Sequence, residues 1–350
     1  DYISKFIEIL EKSIDEHLIS DSKVGILFSA GLDSSIISKL AADKKPDLNL
    51  FHFSDKKDIF NSTHYANIFS DKYKANLNII NEADINFKKE FIKMIYHYEF
   101  PNKPEGIVLN NVCEIANSKG FKSLLTGDCA DELFSGYEIH KNFYLRYKSS
   151  KSFLFKLVNK LLNKTTNLDL YESTRYDPIQ TDYFIQPSLQ SLSEIPINLI
   201  LHRGLRNNEF LSSISKYDFL NSDFETKMQA FILDNINFAM QRYLKRSDSI
   251  GMMNSVELRI PFLDYDLFNF VVNSPLKYKI QLSPLNKYDR KIILKKVAKK
   301  LGIPDKIIFR KKIGTHFNFE SQLNDIINKI EFKHSSNLLK IDHSLIKNNL

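Results

Sequence analysis

The stretch LLTGDCADELFSGY, Leu124 to Tyr137, places three carboxylates, Asp128, Asp131 and Glu132, within five positions. Carboxylates that close repel one another unless a cation lies among them. The preference of acids for a helix N-terminus accounts for only one or two of the three. A second stretch, FSAGLDSS from Phe28 to Ser35, combines small residues, hydroxyls and Asp33. Ser29, Ala30 and Gly31 allow a tight turn with N–H groups pointing outward, and a helix starting there adds its positive end. Such a turn binds phosphate.

The alternatives for this turn are limited. A Walker-type loop needs a G-K-[ST] ending and a dinucleotide fingerprint needs three spaced glycines, and both are absent. Asp33 would repel a bare polyphosphate unless Mg²⁺ lay between them, so the acid predicts a metal. Asp131 could reach the same ion if the two stretches close neighbouring strands. The plain structural reading is a strand-to-helix turn with Ser34 as the cap.

Hydrophobic periodicity supplies the elements that must hold these stretches. Apolar residues near helical spacing over 2–18 lead into a short apolar run at 24–28. Helices follow at 34–42, 64–73, 86–98 and 109–118, with strands at 48–53 and 77–80 and a last strand in FKSLLTGD. Short apolar strands separated by helices predict an α/β fold, a parallel sheet with helices on both faces. In such a sheet, ligands gather at the carboxyl ends of the strands. From about Leu145 onward the pattern is mainly helical, with a polar, proline-punctuated connection over 163–196. We therefore divide the chain into a core at 1–145 and a mainly helical part at 146–350.

Composition sets the outer limits. A chain of 350 residues with 43% hydrophobic and 26% charged residues can bury one or two cores. No apolar run approaches the roughly 20 residues of a membrane-spanning helix, and the charged N-terminus does not read as a signal peptide. The two cysteines, Cys113 and Cys129, lack zinc-site spacing, which fits a reducing, cytoplasmic setting. The net charge of +7 comes from lysines and arginines scattered among acids, a pattern of solvated surface rather than a nucleic-acid footprint.

Four segments now carry a resemblance. LFSAGLDSS resembles the SGGxDS loop of ATP pyrophosphatases, and LLTGDCADELFSGY resembles the SGEGxDELFGGY segment of asparagine synthetases. SVELRIPFLDYDLFNFV, Ser255 to Val271, is similar to that family's GVExRxPFLDxxLxEF. RKIILKKVAKKLGIPDKIIFRKKIGTHF resembles its region ending RxKxGF through Arg310, Lys312 and Gly314. The matches run in family order over about residues 1–317.

The resemblance implies a PP-loop domain that uses Mg-ATP to adenylate a carboxylate, releasing pyrophosphate, before an amine attacks to give an amide and AMP. Ser29, Gly31, Asp33, Ser34 and Ser35 match the pyrophosphate-holding residues, and Asp33 and Asp131 the magnesium-binding acids. Phe28, Thr126 and Gly127 match nucleotide contacts, with Phe53 as a further equivalent. Lys312 matches a lysine beside the acyl-adenylate, and Asp128 stands where the best-known members carry Glu as the proton acceptor.

Departures from the pattern matter too. Ala30 replaces the second glycine of SGG, which a tight turn tolerates if its φ is negative, and Ser135 replaces a glycine in FSGY. Glu257, Arg259 and Asp264 are expected to pair structurally, and Cys129 to be a small filler. The chain begins at Asp1 without methionine and without the glutaminase domain of glutamine-dependent members, so we expect a fragment or a stand-alone synthetase that takes ammonia from a partner or from solution. Aspartate is the expected acceptor. Sugar acids of surface polysaccharides and precursors of macrolactams or β-lactams are the alternatives within the family, and a tRNA-modifying PP-loop protein is the alternative outside it.

Overall fold

The computed structural model describes residues 1–55, 62–98, 105–137, 140–141, 232, 240–281 and 289–310. The elements are α1 Tyr2–His17, β1 Lys23–Leu27, α2 Leu32–Lys44, β2 Asn49–Ser54, α3 Ser62–Tyr73, β3 Asn76–Asn81, α4 Phe87–Tyr98, α5 Glu105–Ser118, β4 Phe121–Leu125 and α6 Ala130–Leu133. They continue with α7 Gln241–Met253, β5 Glu257–Arg259, α8 Tyr265–Val272, α9 Ile292–Lys300 and α10 Asp305–Ile308. The chain gathers into two compact units, one from residues within 1–17, 127–243 and 260–309, the other from residues within 18–126, 244–259 and 310–350.

The second unit holds a five-stranded sheet, parallel at every pairing, in the order β3-β2-β1-β4-β5. Chain order reverses between β1 and β4, and such a switch point leaves a crevice at the carboxyl ends of the two strands. Helices are required because parallel neighbours need a crossover, and strands buried on both faces read as the continuous apolar runs seen in the sequence. One core joins Phe51, Phe121, Leu124, Val112, Cys113, Ala116 and Val256, with the Phe51 and Phe121 rings edge to face at 5.1 Å. Each fully buried phenylalanine contributes about 2–3 kcal/mol of transfer free energy.

β5 has no counterpart in the sequence reading. Three residues, Glu257, Leu258 and Arg259, leave no room for a period-two pattern, yet Leu258 pairs with Leu124 in register. Elsewhere the predicted helices and strands recur within a few residues of their expected ends. The connection over 163–196 lies outside the described residues.

In the first unit, α1 buries Phe6, Leu10 and Ile14, one stripe at helical spacing. Phe6 meets Phe134 edge to face at 5.7 Å, and Phe134 meets Phe262 the same way at 5.7 Å. This file of rings lies beneath the acidic stretch. Ser13 Oγ donates to the Pro261 carbonyl at 2.9 Å, tying α1 to the turn at Pro261–Leu263. No described helix is long and apolar enough to cross a membrane.

Candidate functional site

The serine loop connects β1 to α2. Gly31 is the N-cap of α2 and no side chain caps it. Ser34 therefore does not cap the helix but lies in its first turn, where its Oγ shares a 3.0 Å hydrogen bond with Ser29 Oγ and donates to the Gly31 carbonyl at 3.4 Å. The Gly31 N–H is directed at Ser29 Oγ, 3.4 Å away. Two hydroxyls and a backbone N–H thus gather at the positive end of a 13-residue helix, with Asp33 in its first turn. Ser35 is fully buried.

The neighbours of this loop are packed into the core. Phe28 is buried with its ring 4.9 Å from that of Phe69, and its carbonyl accepts from His52 Nδ1 at 2.8 Å. Phe53 is partly buried against the core described above. At the end of β4, the buried Thr126 donates its N–H to the Arg259 carbonyl at 2.8 Å.

Gly127 begins the acidic stretch of the other unit. Asp131 and Glu132 sit in the one-turn helix α6 and are buried, while Asp128 precedes it at partial exposure. Lys291 Nζ lies 2.8 Å from Asp131 Oδ1, and their side chains are only 8% and 11% exposed. The adjoining chain fastens the loop through its backbone as well, with the Lys291 N–H donating to the Phe134 carbonyl at 3.2 Å and Arg290 Nη1 to the Gly136 carbonyl at 3.1 Å. Tyr137 Oη donates to Glu132 Oε1 at 2.6 Å, and Tyr243 Oη donates to Asp128 Oδ1 at 2.9 Å. The repulsion expected among the carboxylates is thereby relieved by one lysine and two phenols.

Gly136 shows how tightly this is packed. A Cβ there would fall 1.9 Å from Asp131 Oδ1 and 2.2 Å from Lys291 Cε. Only glycine lets the ion pair close over the backbone at this position.

Among the seven described non-glycine residues in the left-handed conformation are Ala30 at φ 54°, Cys129 at φ 66°, Ser135 at φ 58° and Ser255 at φ 52°. Each of these four stands where the family motifs quoted above have glycine. The negative φ expected for Ala30 is therefore corrected, and the reason is geometric, since the turn from β1 into α2 needs the left-handed step whichever residue takes it. An alanine there costs about 1–2 kcal/mol.

The electrostatics separate reactive from inert groups. Burial, then the charges of Glu132, Asp128 and Asp131, push the Cys129 thiol far above its ordinary range, so it stays protonated and acts as a filler. Burial alone raises Cys113 to about 12. Tyr137 is pushed up by burial and then by Glu132 and Asp131, so it remains a donor. His140 is lowered to about 3, first by burial and then by Arg290 and Lys291, against the pull of Asp131. It is neutral at physiological pH.

The third motif is architectural. Arg259 Nη2 and Nε contact Glu257 Oε2 at 2.8 and 2.9 Å, and Arg259 Nη1 donates to the Ile19 carbonyl at 2.7 Å. Glu257 is about half exposed, so the pair forms at the surface. Asp264 caps α8 by accepting from the Leu267 N–H at 3.0 Å.

Among the expected site residues, Ser29, Gly31, Asp33, Ser34, Ser35, Phe28, Phe53 and Thr126 fall in the sheet unit. Gly127, Asp128 and Asp131 fall in the other unit, and Lys312 lies outside the described residues. Sequence reasoning missed Lys291 and Tyr243, and it matched Arg310 to a motif without giving it a role. Lys291 gave no periodic signal, because it is the left-handed N-cap of α9 and not part of its buried face. Among the described residues, no three or more His, Cys, Asp or Glu side chains form a group that could hold a metal ion. Asp33 and Asp131, each in its own unit, carry oxygen donors of the chemical type that a hard divalent cation takes.

A parallel sheet with a serine-rich turn leaving a central strand at its switch point defines a doubly wound α/β domain. The asparagine synthase family matches residues 5–337, and this chain belongs to it. It is 28% identical over 320 residues to asparagine synthetase [glutamine-hydrolyzing] 1 of Bacillus subtilis (strain 168), covering 86% of this chain and 47% of that protein. It is 24% identical over 342 residues to asparagine synthetase [glutamine-hydrolyzing] 3 of the same organism, covering 89% and 48%. A putative asparagine synthetase [glutamine-hydrolyzing] of Mycobacterium tuberculosis (strain ATCC 25618 / H37Rv) is 25% identical over 319 residues, covering 87% and 46%. The chain spans about half the length of these relatives.

Proposed function

We propose that this chain carries the synthetase half of an ATP-dependent amide ligase, with aspartate as the acceptor and ammonia as the nitrogen donor. The observation that carries the reading is the cluster of Ser29 Oγ, Ser34 Oγ and the Gly31 N–H at the N-terminus of α2, where the sheet order reverses. Membership in the asparagine synthase family supports it.

In this reading an acceptor carboxylate oxygen attacks the α-phosphorus of ATP, forming an O–P bond as the bond to pyrophosphate breaks. The serine loop, with Ser35 and the start of α2, holds the departing anion through hydroxyls and N–H groups. Asp33 and Asp131 would hold Mg²⁺, which when bound neutralises charge on the phosphate oxygens. Phe28, Phe53, Thr126 and Gly127 line the nucleotide side. Ammonia then attacks the acyl carbon. Its surplus proton passes to Asp128, and AMP leaves as the C–O bond breaks. Lys312 stabilises the negative charge that develops in both steps.

The test is product analysis by mass spectrometry after mixing the protein with Mg-ATP, ammonium and aspartate, following AMP, pyrophosphate and asparagine together. All three are expected, and Asp33→Asn should abolish pyrophosphate release. AMP and pyrophosphate without asparagine would replace aspartate with another carboxylate, such as a sugar acid or a peptide. No nucleotide cleavage with any acceptor would overturn the proposal.

A further inference from the structure

Ala30 is buried in a left-handed conformation that alanine adopts reluctantly, and something must hold it there. Its carbonyl accepts a hydrogen bond from Arg310 Nη1 at 3.2 Å. The Arg310 guanidinium lies 5.0 Å from the centre of the Tyr65 ring on α3, which fixes its plane. Ala30 and Arg310 are 280 residues apart.

A trans peptide is planar and points its C=O and N–H in opposite directions. Gripping the Ala30 carbonyl therefore aims the next N–H, that of Gly31, to the other side. That side is where Ser29 Oγ lies, 3.4 Å from the Gly31 nitrogen, with Ser34 Oγ a further 3.0 Å on. If the 30–31 peptide flips, the carbonyl oxygen takes the place of the N–H and an anion meets a like partial charge.

We propose that Arg310 is a positioning residue for the serine loop, acting through the Ala30 carbonyl to keep the Gly31 N–H facing the two hydroxyls. A glycine at position 30 would take the left-handed step without strain, so the tether carries more load with the alanine than it would with glycine. The proposal rests on the reading of this loop as the anion site.

The experiment compares the full chain with Arg310→Gln, Ala30→Gly and the double variant, first without ligand and then with Mg-ATP. Amide hydrogen exchange over 29–33 should quicken about 10-fold in Arg310→Gln and return to within about 3-fold of the parent in the double variant. The KM for ATP should follow the same pattern while kcat changes less. Unchanged exchange in Arg310→Gln, or an equal loss with and without Ala30→Gly, would overturn the proposal and leave Arg310 as a direct ligand contact or a general stabiliser. Rescue in the exchange data together with no binding of Mg-ATP or pyrophosphate by the parent would uphold the Arg310 tether and sink the anion-site reading instead.

Discussion

Tyr243 Oη donates a 2.9 Å hydrogen bond to Asp128 Oδ1, joining α7 to the acidic stretch across 115 residues of chain. A donor on a carboxylate favours its charged form, the form that can accept a proton. The bond also fixes where an aspartate, one methylene shorter than glutamate, presents its oxygens.

Tyr243→Phe should therefore leave the Asp128 carboxylate with one donor fewer and its oxygens less firmly placed. With Asp128 as proton acceptor, kcat for amide formation near neutral pH should fall a few-fold. An unchanged kcat would remove the Tyr243–Asp128 bond from proton transfer.

The Asp131–Lys291 pair predicts a large effect on stability. Removing one partner strands a buried charge, so Lys291→Met should cost about 3 kcal/mol or more in urea unfolding. The double variant Lys291→Met with Asp131→Leu should recover most of that loss. Additive losses would mean that the two residues act independently.

Ser135 predicts a gain. It is fully buried and left-handed, and among the described residues its hydroxyl has no hydrogen-bond partner. Ser135→Gly removes the strain and the buried hydroxyl together, against about 0.5–1 kcal/mol of extra chain entropy. A net stabilisation of about 1 kcal/mol is expected from the midpoint of chemical unfolding, and a lower midpoint would show that the hydroxyl is satisfied.

His140 predicts the acid side of the stability curve. Its pKa is lowered to about 3 in the folded chain against an ordinary value of 6.5, so between these values the unfolded state binds more protons. Its share of stability is complete above about pH 6.5 and declines toward pH 3, with a slope of up to about 1.4 kcal/mol per pH unit. His140→Gln should flatten unfolding free energy against pH over that window, and an unchanged slope would assign the acid sensitivity to the carboxylates.

How much of this was legible in the sequence follows from the range of each signal. β1, α2 and the loop between them are local, so apolar runs and small residues announced them. The same locality marked Asp128 and Asp131. β5 was hidden because three residues carry no periodicity and pair only with a strand formed far earlier in the chain. Lys291, Tyr243 and the role of Arg310, itself visible in a motif, were hidden for a related reason, since each acts on a group more than 100 residues away. The left-handed step at Ala30 was missed because the residue there gives no sign of the backbone it must adopt.

The threading of α1 into a unit completed by 260–309 bears on how this protein is made. The apolar stripe of Phe6, Leu10 and Ile14 leaves the ribosome long before Pro261, which Ser13 holds and which follows 248 residues later. At roughly 5–20 residues per second the helix waits on the order of 10–50 s for its neighbours. During that interval an amphipathic segment is open to chaperones and proteases, and the α1 unit closes only once residues 260–309 have emerged.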